Sequence, residues 1–430
     1  MNIKKILFII ILLLIGIYNV SAKDISYSIN KYDDEIFKYI EKGYDKDLKE
    51  DGYVLGGNFL KEKIEQDDVL YNDYQVILAK YNNKDKLIWK YTYGDTKEDY
   101  IDCLTYTYDE SGNIDGYLII TKKTGSITDN TTNNNSVLLK INFDGKLVWE
   151  KEIFDGSIIK IIPTYNSDNL IDGYVSIMNN ESGSSLVKYD KNFEVISKRD
   201  FLNTTLKDLT LIKEDEKIIG YAVIQDSSLI GLDINGYSDV VLDDLSKYKS
   251  SNLLESNNGF ILYGITSEVK LKKGDSSYYL INYVNNEQKW ETIGNTSVSK
   301  NGKIILLPIY KNNIIEEYLL MYKNGVDSSY EVVKLDIDGN ILKKVKKINN
   351  NYYDIENFYA KGTTIYFIGQ INCPEDDNCE YDNNSLYLVS DEDKVIEVQD
   401  NTSSNVIIVF SIIFIILIGG VLIIRKKTKK

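Results

Sequence analysis

Residues 140–153 read KINFDGKLVWEKEI, and residues 80–93 read KYNNKDKLIWKYTY. Both contain a polar turn, a Lys-Leu pair, a β-branched residue and a tryptophan: Lys86-Leu87-Ile88-Trp89 in one, Lys146-Leu147-Val148-Trp149 in the other. Each stretch is the end of a longer pattern, in which an apolar strand leads into an Asp-, Asn- or Gly-containing turn and a second strand leaves it. Val76–Ala79 and Ser136–Leu139 lead into the two quoted turns. Further copies are Ser185-Leu186-Val187 before Asp190-Lys191-Asn192 and Leu229-Ile230-Gly231-Leu232 before Asn235-Gly236. Tyr279-Leu280-Ile281 precedes Asn285-Asn286 and Trp290, Val332–Leu335 precedes Asp338-Gly339, and Leu386-Tyr387-Leu388 precedes Asp391-Glu392.

A second marker alternates with the first: a glycine followed by an aromatic or β-branched strand. It stands at Gly52, Gly116 and Gly173, each after Asp and before Tyr, and more weakly at Gly220, Gly259, Gly302 and Gly362. The spacings are 64, 57, 47, 39, 43 and 60 residues, a mean near 52. Each unit then holds about four short strands; in the second they fall near 100–108, 117–122, 136–142 and 146–153. Asx-Gly turns suit tight hairpins because glycine and asparagine tolerate positive φ. Val, Ile, Tyr and Thr fill a pleated surface, and the three prolines leave few gaps in ladders that need every N–H. No sustained helical periodicity occurs between the termini; residues 33–50 are expected to form a helical turn or an extra edge strand.

About 50 residues and four strands is the repeat of a propeller blade. The fold class expected is all-β: a β-propeller of seven four-stranded blades, plus one C-terminal transmembrane helix. Residues 1–22 read as a signal peptide, with Lys4 and Lys5, an apolar run and Ser21-Ala22 at the cleavage site. Residues 23–400 form the extracellular propeller and 401–405 a short tether. Residues 406–424 carry no charge and are long enough to cross a hydrocarbon layer of roughly 30 Å. The basic residues 425–430 place the tail in the cytoplasm. The chain is therefore expected to be a single-pass protein of the cell membrane, with its bulk at the surface and its own C-terminal helix as the membrane contact.

Two lysines belong to 1–22 and five basic residues to 425–430, so the outer part has 43 basic against 65 acidic residues, a net −22. That sign opposes nucleic-acid binding. The absence of histidine excludes Ser-His-Asp triads and His-ligated metals. Cys373 and Cys379 bracket a short loop and are read as a disulfide, worth about 2 kcal/mol in the chain-entropy model. Cys103, in an apolar strand, is read as a buried free thiol. The alternating oxygen side chains of 109–115 lack the closing acid of a calcium loop, because Ile120 stands there. They read as a turn. The acidic run Glu375-Asp376-Asp377 with Glu380 and Asp382 reads as a solvated loop.

The segment 138–151, with the strand that follows it, resembles the repeat of bacterial β-propellers of the PQQ-like, quinoprotein type. Tyr93-Gly94-Asp95 through Glu98-Asp99-Tyr100 resembles the connection between their blades. The resemblance covers roughly 75–180 and implies a blade rather than an activity. It implies that Trp89, Trp149 and Trp290 pack between neighbouring blades. The sequence has no adjacent cysteine pair, which quinoprotein dehydrogenases of this shape use, so no PQQ and no other cofactor is expected. No catalytic, cofactor-binding or metal-ligating residue is assigned. The expected function is that of a non-enzymatic, membrane-anchored surface propeller that binds a protein or glycan partner through its loops. The alternatives are an extracellular hydrolase or lyase using carboxylates or tyrosines in the central funnel, and an envelope assembly scaffold.

Overall fold

The computed structural model describes residues 35–391, apart from connecting segments at 67–68, 95–98, 123–134, 154–155, 167–169, 216, 238, 268–275, 300–301, 312–313, 349–352, 362–363 and 372–384. Among the described residues every element is a strand, and each sheet is a simple antiparallel meander in chain order. Six sheets have four strands: residues 35–93, 101–153, 157–202, 206–244, 248–293 and 304–348. We refer to these as blades one to six. The last sheet, residues 353–391, has three strands among the described residues. The expectation of seven four-stranded blades is therefore corrected to six such blades and a three-stranded sheet. The expected signal peptide, tether, transmembrane helix and basic tail, and Cys373 and Cys379, lie outside the described residues. Among the described residues no helix is long and apolar enough to cross a membrane.

The first strand of each sheet lies innermost and the fourth outermost. The fourth strands Leu87–Tyr93, Leu147–Ile153 and Glu287–Ile293 contain no buried residue, whereas the second and third strands of the same blades are largely buried. Glu35–Tyr44, expected as a helical turn or edge strand, is the innermost strand of blade one. It packs against the first strand of the last sheet, Tyr353–Lys361, so the ring closes on itself. Phe37, Tyr53 and Leu55 share a cluster there with Tyr366 and Ile368, and Lys361 reaches Glu50 and Asn83, both at 2.6 Å.

The core is divided among the seams between blades rather than gathered at one centre. Leu118, Ile120 and Leu138 of blade two meet Ile158, Ile161 and Tyr174 of blade three. Val175 and Ile177 of blade three meet Leu209, Leu211 and Val223 of blade four. A sheet has two faces, and a blade buries both only by sitting between two neighbours. The seams are also joined by polar bonds. Ser136 Oγ accepts from Ile158 N–H at 2.8 Å, and Ser184 Oγ accepts from Leu206 N–H at 2.9 Å. In both, the third strand of one blade holds the start of the next.

The turn of the opening stretch now has a geometry. Asn142 Oδ1 accepts from the N–H groups of Asp144 and Lys146, and Gly145 closes the turn at φ 78°. A bulge between Lys140 and Ile141 follows. This is the three-residue hairpin loop in which a left-handed residue joins a turn to a bulge. Asn82, Asp190, Asp233 and Asp336 accept the same pair of bonds. Asp85, Phe193, Gly236 and Gly339 take the left-handed place.

The glycine marker holds for blades one to five: it lies near the beginning of the second strand in blades one to four and just before it in blade five. It fails in blade six. Gly302 precedes that blade's first strand, Ile304–Lys311, and the register sets Glu317 opposite Asp336, where blades three and four set Gly173 and Gly220 opposite Asp190 and Asp233. Gly362 lies outside the described residues.

Candidate functional site at the channel

The innermost strands bring together side chains far apart in sequence. Tyr44, Tyr108 and Tyr165 are the last residues of the first strands of blades one, two and three. Each is followed by an Asx residue whose side chain caps the ensuing turn: Asp45, Asp109 and Asn166. Tyr310 and Tyr359 hold comparable places in blade six and the last sheet, and Glu255 ends the first strand of blade five. The rings are half-buried, except for the more exposed Tyr310.

These groups meet at one mouth of the channel. Tyr108 feels the charge of Glu41 in blade one and of Glu255 in blade five, as well as its neighbour Tyr165. Tyr310 feels Tyr165 from across the ring. Tyr44 and Tyr106 rings meet edge to face at 5.7 Å. Glu255 is held on both oxygens, by Tyr310 Oη at 2.6 Å and Lys213 Nζ at 2.8 Å. Burial pushes the Glu41 carboxyl up to about 7, opposed by a hydrogen bond from Tyr106 and by nearby Lys42. Burial likewise raises the Tyr108 and Tyr359 hydroxyls, so both phenols are protonated at neutral pH.

Deeper in the channel, Lys160 Nζ lies 3.2 Å from Asp208 Oδ1. Asp208 also accepts from Leu209 N–H at 2.8 Å and from Leu253 N–H of blade five at 2.7 Å. This pair raises the Lys160 ammonium. Cys103 stands nearby as a free thiol, partly exposed rather than fully buried, and burial pushes it up to about 12. It is a thiol and not a thiolate at neutral pH. Among the described residues no group of three or more acids or cysteines is placed to hold a metal. Residues 109–113 form a turn in which Asp109 accepts from Asn113 N–H at 2.9 Å.

The tryptophans are elsewhere, on the outermost strands. Trp89 Nε1 donates to Phe143 O of the next blade at 2.8 Å, and its ring lies over Gly145. Trp149 meets Phe193 of blade three at 5.3 Å. Trp290 lies over Gly339 of blade six. Each ring covers the left-handed residue of the neighbouring hairpin, and each is half-buried. Sequence reasoning named these residues but missed the mouth. The signal available was the recurring Tyr-Asx pair at 44–45, 108–109 and 165–166.

No protein-family model matches the chain, and no curated protein matches it. Among solved structures it is similar to the Dos1 propeller, with TM-score 0.46 and 10% identity over 86% of this chain and 96% of that one. It is similar to the Neurospora crassa Pan2 WD40 domain, with TM-score 0.46 and 8% identity over 84% and 90%. A third is BBS1N in complex with ARL6DN, with TM-score 0.45 and 7% identity over 83% and 97%. At these identities the likeness concerns the fold alone, and the β-propeller rests here on the sheet order and ring closure described above.

Proposed function

We propose that this chain is a non-enzymatic binding module: a β-propeller of the PQQ-like repeat type without a PQQ site, carried at the cell surface on its own C-terminal membrane helix. It takes a protein or glycan partner on the turns at one end of the ring. The observation that carries this reading is the state of the mouth carboxylate Glu255. A glycosidase needs a free carboxylate facing a carboxylic acid. Glu255 is already bound on both oxygens, by Lys213 and Tyr310. What the mouth offers instead is half-exposed phenol surface, which suits binding. The uncharged run 406–424 and basic tail 425–430 support the anchoring.

The full chain in a non-glycosidic detergent, tested on a glycan array and by surface cross-linking in cells, examines this directly. Capture of a glycan or a surface protein without product formation is the expected result. Turnover of any arrayed polysaccharide would sink the non-enzymatic reading.

A further inference from the structure

We infer that the outer end of the seam between blades three and four is a small-molecule site, taking an indole ring that carries a hydrogen-bond acceptor, a carboxylate or carboxamide. The inference goes beyond the binding-module reading and does not depend on it. At three other seams a tryptophan fills this place. A Cβ added to Gly145 would meet Trp89 ring atoms at 2.5, 2.7 and 2.8 Å, and one added to Gly339 would meet the Trp290 ring at 2.6 Å. At Gly236, the left-handed residue of the blade-four hairpin, Leu186 Cδ2 is the one atom outside the turn within 4 Å of that point, among the described residues. The ring's place is open because Ser197 stands opposite Lys188, where Trp89 stands opposite Lys80 and Trp149 opposite Lys140. The recess is shallow, as suits a group that is only half-buried at the other seams. An acceptor is open there too. Trp89 Nε1 donates to Phe143 O at 2.8 Å. The equivalent carbonyl is Ile234 O, and Arg199 passes it by for Gly236 O. An indole N–H supplies the missing donor.

Two donors in the wall choose the substituent. Tyr221 lines the recess and is 1% exposed, and its Oη is buried with no hydrogen-bond partner. Its counterparts at the two preceding seams are partnered: Tyr117 Oη accepts from Tyr44 N–H at 3.0 Å, and Tyr174 Oη donates to Tyr106 O at 3.4 Å. Lys188 lines the same recess. Lys80 and Lys140, its counterparts, are engaged with Tyr44 O at 2.6 Å and Asp115 at 2.5 Å. Among the described residues Lys188 makes no such bond. Leaving a buried hydroxyl unbonded is costly, and a ligand oxygen removes that cost. Both groups donate here, so the ligand must accept. The lining side chains include Lys188, Lys198 and Arg199 and no acid. The nearby acids are already engaged. Arg199 holds Asp239, Lys198 lies 3.4 Å from Asp200, and Asp233 Oδ1 accepts from the N–H groups of Asn235 and Tyr237. A cationic substituent would therefore meet ammonium and guanidinium groups first.

Saturation-transfer NMR on the full chain in lipid nanodiscs, with about 2 mM indole-3-acetate, indole-3-acetamide and tryptamine as probes and empty nanodiscs as the blank, tests the site. The two acceptor-bearing probes should bind with a Kd in the roughly millimolar range, and tryptamine about tenfold or more weakly. Ser197→Trp, which supplies the ring from the protein itself, should abolish binding. Lys188→Met and Tyr221→Phe should each weaken indole-3-acetate about threefold or more. Tyr221→Phe removes a hydroxyl that bonds to nothing, so a loss on its part is not a loss of fold. Failure of both acceptor-bearing probes to bind above the blank overturns the assignment, as does binding that is unchanged in Ser197→Trp or in both wall variants. Tryptamine binding as tightly as indole-3-acetate also overturns it, because the wall donors would then select nothing. Phenylacetate binding as tightly would do the same for the role of the ring N–H.

Discussion

The seam between blades one and two and the seam between blades three and four solve one packing problem with different chemistry. At the first, Trp89 lies over Gly145 and donates to Phe143 O. At the second, Ser197 stands at the tryptophan's register place, opposite Lys188 as Trp89 is opposite Lys80. Arg199, two residues on, reaches Gly236 O and pairs both nitrogens with Asp239 at 2.7 Å. A recess lined by Lys188, Ser197, Tyr221 and Tyr237 is left where the indole would sit. The outer end of a seam therefore needs a group that covers the neighbour's left-handed turn, and either an indole or a guanidinium serves. The indole acts by buried area, which salt does not screen; the exposed ion pair acts by charge, which salt does.

The difference can be broken most sharply at Gly145. Its φ is 78°, and a Cβ there would come within 2.5 Å of the Trp89 ring. Gly145→Ala should cost about 2–4 kcal/mol in denaturant unfolding. Adding Trp89→Ala should then cost less than it does alone; strict additivity would show that the ring and the turn are not in contact. Trp89→Ala by itself should cost about 2–3 kcal/mol, less than for a fully buried indole because the ring is half-exposed, and 1 M NaCl should leave that loss unchanged.

The inner end of the same seam is polar: Tyr106 Oη of blade two donates to Lys42 O of blade one at 3.3 Å, beside Glu41. Folding raises the Glu41 carboxyl from 4.5 to about 7. The folded state then binds a proton that the unfolded chain has released. Ionised Glu41 therefore opposes folding: the cost is absent below pH 4.5, grows between 4.5 and 7, and is complete above. Glu41→Gln should stabilise the protein by about 1–2 kcal/mol at pH 8 and by nothing measurable at pH 4. An equal gain at both values would assign the effect to packing.

At the second seam, Arg199→Met should cost about 1 kcal/mol in low salt and roughly half that in 1 M NaCl. A loss indifferent to salt would mean that the arginine acts through its stem. The smallest effect is expected from Ser197→Trp, which should fill the recess and raise stability by about 0.5–1 kcal/mol. A lower melting temperature would show that the recess cannot hold an indole beside Arg199.

Much of the fold was legible because its determinants are local. The second blade's strands, expected near 100–108, 117–122, 136–142 and 146–153, are observed at Ile101–Tyr108, Ile114–Lys122, Ser136–Ile141 and Leu147–Ile153. The marker failed in blade six because the requirement it stands for is weaker than a glycine. Glu317 fills the place opposite Asp336 with an ordinary strand conformation. The mouth was illegible for a different reason. Tyr44, Tyr108, Tyr165 and Tyr359 span 315 residues, and each alone reads as an ordinary strand tyrosine.

The sequence by itself determined the strands, the Asx turns and the repeat. Each of these is fixed by φ preferences and hydrogen bonds within about ten residues of chain. Only the tertiary structure decided which neighbour each tryptophan covers, that Arg199 replaces one, and that phenols scattered in sequence lie at or near the same ends of the innermost strands. Those outcomes depend on ring closure, which joins Glu35–Tyr44 to Tyr353–Lys361, and local pattern contains no information about which surfaces a closed ring will bring face to face.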